Sequence, residues 1–324
     1  MLLDLPEGVL ETATALLDSG FCTLHVLHDG APLRLIAKVF CGPHTALVEL
    51  KNSHTNIDRI DKDGALLFRA EDEARTSDSM TDHSGLTVAG ILDFAETCDL
   101  EDIQPVLQRQ IDCNLKIAEE GLTNGWSVNV GKLYSKHGKL LQAYAAAASD
   151  ARMSGCTLPV VIVSGSGNQG ATASLPVVIY AREHGIPRER MLRALALSNL
   201  LAVHIKSGID RLSAYCGAVC AATGSGCALT YLAGGTLEQI EMTLTNTLAT
   251  ASGMVCDGAK PYCAAKIATC LESALMAHGL AMEGNSFHGC EGIVKASVAA
   301  VGCVASQGMR QTDEVILDLM TDQS

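Results

Sequence analysis

The sequence is poor in aromatic side chains, which make up 4% of its 324 residues and include a single tryptophan. A core of packed rings is excluded, so the 48% hydrophobic content has to be Ala, Val, Leu and Ile. Side chains this small let helices approach closely and point to a helical body. Basic residues are scarce too, 23 against 36 acidic ones, for a net charge of −13. That balance disfavours nucleic acid and anionic membrane surfaces as partners. A small zwitterion such as an amino acid stays compatible, because local charge decides its binding. No apolar run approaches the roughly 18 residues of a membrane-spanning helix. The start, "MLLDLPEGVLE", has no basic leader region and meets Asp4 and Glu7 at once, so no signal peptide is expected. No Cys-x2-Cys pair occurs, which excludes zinc ribbons and ferredoxin-type runs on spacing. The 13 cysteines, an odd number in a long chain, read as thiols of a reducing cytoplasm rather than a disulfide scaffold.

What is present falls into two textures. The stretch 7–20, "EGVLETATALLDSG", predicts a first helix ending at Gly20. "CTLHVLHDG", "LRLIAKVFCG", "TALVELKN" and "ALLFRA" are short β-prone runs, separated by Asp-Gly, Gly-Pro and Lys-Asp-Gly punctuation. They predict a small antiparallel sheet. The polar stretch 71–85 is the expected boundary, giving a small α+β region over 1–83 and a large, mostly helical domain over 84–324. Ile103, Leu107, Ile111, Leu115 and Ala118 recur at helical spacing. One helix is expected over 131–153, and further helical runs follow, the last over 291–309. The fold class is α+β.

The string "VVIVSGSGNQGATASLP" (160–176) carries Gly165-x-Gly167-x-x-Gly170, the spacing of a dinucleotide-binding loop. Such a fold needs a strand, the loop, a long helix and a second strand ending in an acid about 20 residues on. Pro176 sits awkwardly for that helix, and "PRERMLRALALSNLL", at the required distance, has helical periodicity. The dinucleotide reading fails its own structural check. What remains is a loop of Ser164, Gly165, Ser166, Gly167, Asn168 and Gln169 at the start of a helix. Free amides, short hydroxyls and side-chain amides there suit a carboxylate or a phosphate. A plain tight turn and a pyridoxal-phosphate loop are the alternatives.

Among the cysteines, Cys216, Cys220 and Cys227 share one helix face, as do Cys263 and Cys270, which is the spacing of small core residues. Cys256 differs. It lies in "MVCDGAKPYC", between two helices and ahead of Pro261, where turn amides and a helix N-terminus favour thiolate.

"SDARMSGCTLP", "SGSGNQGATASLPVV", "LSAYCGAVCAA", "SGMVCDGAKPYCAAK", "EGIV" and "GMRQTDEVILDLM" follow one another in this order, with "SHTNI" (53–57) upstream. Together they resemble the L-cysteine desulfidase family, relatives of the α chain of iron–sulfur-dependent L-serine dehydratase. The resemblance implies a 4Fe–4S cluster held by three cysteines, with one iron open to substrate. Two ligands carry over onto Cys216 in "AYCGA" and Cys256 in "VCDGA". The family's third lies in a "GCTEP"-type element, a string not found here. Cys263 is a candidate substitute, and a second polypeptide or another copy of the chain is the other source.

The activity implied is β-elimination of L-cysteine to pyruvate, ammonia and hydrogen sulfide. L-serine as substrate, a pyridoxal-phosphate enzyme and an incomplete subunit needing a partner are the rivals. In this scheme Ser166, Asn168 and Gln169 hold the substrate carboxylate. Asp150 and Arg152 fix its other end or the loop itself, unless they merely form a helix-end ion pair. His204, Lys206 and Lys260 are candidate general bases, and His54 and Asn56 are candidates from the small region.

Overall fold

The computed structural model describes residues 8–27, 33–52, 56–70, 83, 85–207, 209, 213–287 and 294, with six positions between 309 and 320. Contacts divide the chain into two compact units, Met1–Thr81 with Leu317–Ser324, and Asp82–Ile316.

The first unit holds helix α1 (Val9–Asp18) and strands β1 (Arg34–Cys41), β2 (His44–Lys51), β3 (Ile57–Lys62) and β4 (Ala65–Arg69). The strands form one antiparallel meander in the order β1-β2-β3-β4. Lys62 pairs with Ala65 across Asp63 and Gly64, both at positive φ, 52° and 82°, as a two-residue mirror-image turn requires. The sheet is thus the expected one, with two differences in its strands. The run beginning at Cys22 is irregular over 21–27, and Leu24 is 86% exposed, so its alternation finds no sheet to join. Conversely, the charged stretch "IDRIDK" is a strand: Asp58 and Asp61 turn inward, and Asp61 is bonded by Arg59 at 2.9 Å.

The second unit is helical: α2 (Val88–Thr97), α3 (Leu100–Thr123), α4 (Val130–Lys136), α5 (Leu140–Met153), α6 (Gly167–Glu183), α7 (Arg188–Ser207), α8 (Gly217–Leu232), α9 (Leu237–Ala251) and α10 (Cys263–Met282). The expected α3 stripe buries Leu107, Ile111, Leu115 and Ala118. α5 packs against α3, α4, α6 and α10, and its run of alanines, 143 to 148 with one interruption at Tyr144, is what allows that closeness. The single helix expected over 131–153 is two, because Gly138 at φ 71° turns the chain between α4 and α5. α6 runs through Pro176, which looked awkward in the sequence. Its lost hydrogen bond costs about 3 kcal/mol, but Leu175, Val177 and Val178 beside it are wholly buried, and packing overrides local propensity. The run expected over 291–309 lies outside the described residues except at Val294 and Met309. No described helix is long and apolar enough to cross a membrane.

Candidate active site

The turn before α6 is built by backbone pairing. Val163 and Ser166 exchange both of their hydrogen bonds, at 3.2 and 3.1 Å, which closes a two-residue turn on Ser164 and Gly165 at φ 47° and 82°. Gly165 adopts that conformation freely, whereas Ser164 does so at a cost. Ser166 is the N-cap of α6 but supplies no side-chain cap, so the first amides of the helix are left for another partner. Behind the turn, Asn114 of α3 accepts from the Val161 N–H at 3.0 Å and donates to Ser174 Oγ at 3.0 Å. A Cβ at position 170 would fall 1.9 Å from the Val161 carbonyl oxygen. The glycine spacing is therefore a packing requirement of helix against turn. The segment before Ser164 is no strand of a parallel sheet: it contributes only the isolated bridge of Val163 to Ser166.

The end of α5 meets this turn. Arg152 Nη1 donates to Asn168 Oδ1 at 3.2 Å, and a Cβ on Gly167 would fall 2.6 Å from Arg152 Nε. Burial lowers the Arg152 pKa, and the nearby Cys263 thiol opposes that. Asp150 faces elsewhere. Its Oδ2 accepts from the Gly131 N–H at 2.8 Å, at the start of α4. Burial raises its pKa to about 6, against the pull of the Gly131 and Val130 amides. The two do not form a helix-end ion pair: Arg152 serves the loop and Asp150 serves α4.

Six buried side-chain nitrogen or oxygen atoms among the described residues have no hydrogen-bond partner. Five of them are Ser149 Oγ, Asp150 Oδ1, Arg152 Nε, Ser164 Oγ and Gln169 Oε1; the sixth is His204 Nδ1. Unpaired buried polar atoms are rare in folded proteins. Five fall in two short segments that the Arg152–Asn168 bond ties together.

The sulfurs are brought together by backbone pairing. Tyr215 and Val255 form an isolated antiparallel bridge, with the Cys216 N–H on Met254 O at 3.0 Å and the Cys256 N–H on Ala214 O at 2.6 Å. The Cys216 thiol donates to the Cys256 sulfur, which raises the Cys216 pKa. The same bond lowers that of Cys256 to about 6; burial opposes it, while the Gly258 amide and Lys266 assist. Of the two sulfurs, Cys256 is the one whose thiolate is favoured. Gln169 links this pair to the turn, for a Cβ on Gly217, the residue after Cys216, would lie 2.4 Å from Gln169 Nε2. Cys263 is placed differently. Its sulfur takes the Lys260 N–H at 3.4 Å and donates to Gly258 O at 3.7 Å. Among the described residues no group of three His, Cys, Asp or Glu side chains is gathered as a metal ion needs. Cys220 and Cys270 are core thiols, each pushed up to about 12 by burial.

The candidate bases are scattered. Partial burial lowers the His204 pKa. The Lys206 charge acts on Cys220, and Lys260 flanks the Cys256 loop. Asn56 is used locally, donating to Lys51 O at 2.8 Å, and His54 lies outside the described residues. Sequence reasoning missed Lys266. Its Nζ is 2.8 Å from Asp257 Oδ1 and 4.8 Å from the centre of the Tyr262 ring, and the Tyr262 hydroxyl also donates to Asp257. Burial works against its charge, but Asp257 and the two nearby thiols outweigh that and raise its pKa. The available signal was its place in "CDGAKPYCAAK", one turn past Cys263.

Comparison with known proteins bears on the same chain. Residues 37–318 match the family described as the serine dehydratase alpha chain. A UPF0597 protein of Lachnoclostridium phytofermentans is 48% identical over 97% of this chain and 77% of its own length. One from Treponema denticola is 42% identical over 99% and 78%, and one from Bacteroides fragilis is 35% identical over 98% and 77%. With its glycine turn and paired cysteines lying inside the matched region, the chain belongs to the serine dehydratase alpha chain family.

Proposed function

We propose that the chain is a lyase that removes the β-substituent of a small amino acid, with L-cysteine as the substrate. The observation that carries the reading is the approach of Gln169 to Gly217, beside Cys216. It sets the uncapped start of α6 next to a thiol–thiolate pair. In the reaction a base takes the Cα proton, the Cβ–S bond breaks and hydrosulfide leaves. The aminoacrylate product becomes an imine, and water hydrolyses it to pyruvate and ammonia.

Ser166, Asn168 and the first amides of α6 face the carboxylate end of the substrate, with Gln169 beside them. The base is drawn from His204, Lys206 and Lys260; partial burial lowers the His204 pKa and so favours the neutral form that accepts a proton. Cys216 and Cys256 would hold a 4Fe–4S cluster, and a sulfur pair with one thiolate suits iron. The third ligand would be Cys263 or would come from a second chain. When bound, an open iron supplies Lewis-acid activation of the carboxylate or the leaving group. The Lys266 ammonium offsets the negative charge gathered there.

The family's description favours a second substrate, L-serine, which would undergo the same elimination with a hydroxyl leaving. One anaerobic assay separates the two. The chain is reconstituted with iron and sulfide, and sulfide and pyruvate release from L-cysteine are followed beside pyruvate release from L-serine. Faster release from L-cysteine is expected. A faster reaction with L-serine reverses the assignment, and no product from either, with the cluster bound, ends the reading.

A further inference from the structure

We infer that Arg152 and Gln169 read the two charged ends of an amino acid, Arg152 taking the carboxylate and Gln169 the ammonium. This rests on the amino-acid reading above but not on which bond is broken. Arg152 is half-buried, and guanidinium groups taken out of water are normally matched by a carboxylate. None of the ion pairs among the described residues involves Arg152. Its near neighbour Asp150 is turned to the Gly131 amide instead. The Nη1–Asn168 bond at 3.2 Å fixes the guanidinium plane, while Nε is buried and unpartnered. Gly167 packs closely on this side, where a Cβ would lie 2.6 Å from Nε and 2.3 Å from Val160 Cγ2, so a guest reaches the guanidinium from its other edge. A carboxylate accepts two parallel N–H bonds from such an edge, and the uncapped amides of α6 face the same charge.

Gln169 supplies the complement. Its side chain is 7% exposed, its Oε1 has no donor, and its amide lies against Gly217 at the start of α8. An ammonium carries three N–H donors and no acceptor, so it fits an unpartnered carbonyl oxygen. Donor and acceptor are linked through one short segment: Asn168, which holds Arg152, directly precedes Gln169. The site therefore prefers a zwitterion to a carboxylate that lacks the amine.

The test uses the full chain and two probes that cannot undergo elimination, L-alanine and propionate. Binding is measured by titration calorimetry, and urea melts report folding. Arg152→Met should weaken both probes by about tenfold or more, the loss of a charge-assisted bond, with partial recovery in Arg152→Lys. Gln169→Leu should weaken L-alanine by about tenfold and leave propionate within about twofold. Unchanged L-alanine affinity in a folded Arg152→Met protein overturns the assignment. So do equal losses for both probes in Gln169→Leu, and so does wild-type protein that binds neither probe. The elimination reading is judged apart: a wild-type chain that binds L-alanine through Arg152 but releases no product keeps this inference and ends that one.

Discussion

In the sheet unit every residue of β1 and β4 is exposed, whereas in the helical unit every residue of α8 after Gly217 is buried. Polar pairs at the sheet's turns, such as His44 with Asp63, lie where water shares the work of satisfying them. In the helical unit polar side chains are taken inside and matched there, as Asn114 is to Ser174 and Ser198 to Ala173. The contrast gives an unpaired polar atom different meanings in the two places. On the sheet it is hydrated and says nothing; in the helical unit it is a bond waiting for a partner.

Four experiments break or sharpen this contrast, and the largest effect is expected at the sulfurs. Cys216→Ser and Cys256→Ser should each lose nearly all iron taken up on anaerobic reconstitution, read by metal content and visible absorption, while Cys303→Ser, outside the described residues, keeps it. Full iron in either of the first two removes both from the ligand set. Next comes Gly170→Ala. Its Cβ would meet the Val161 carbonyl at 1.9 Å, and such overpacking costs about 3 kcal/mol. A urea midpoint equal to wild type would show that the turn is not pressed onto α6.

Asp150→Asn tests buried charge in the same region. Burial raises the Asp150 pKa from 3.8 to about 6. Its contribution to stability is therefore complete below pH 3.8 and is lost as pH climbs through 6, because ionisation inside the fold is disfavoured. The asparagine variant should escape that loss, and parallel pH–stability curves would refute the burial effect. The smallest effect belongs to the sheet, where Leu67→Ser, at a side chain 64% exposed, should shift stability by no more than about 0.5 kcal/mol. A larger loss would show that this face is covered.

Much of the fold was legible in the sequence because periodicity follows burial. Ile103 to Ala118 repeat at helical spacing and line the buried face of α3. The Asp63–Gly64 turn announces its hairpin, and low aromatic content with many alanines anticipates close helix packing. The misses have local causes. β3 was hidden because its inward residues include Asp58 and Asp61, so charge masked the alternation. The run beginning at Cys22 alternates but has no partner strand. Gly138 divides α4 from α5 by backbone conformation, which composition does not reveal. At the candidate site the motif residues were legible as a list. Their sorting was not: Asp150 goes to α4 and Arg152 to Asn168, although both sit in "SDARM".

The sequence by itself determined which residue types are available to the chemistry: a glycine-rich turn, an arginine, an amide and separated cysteines in a fixed order. Only the tertiary structure decided that Cys216 and Cys256 come together, that Gln169 reaches Gly217 and that Arg152 meets Asn168. These are contacts between segments distant in the chain, set by backbone bridges and helix packing, and no local pattern of residues encodes them.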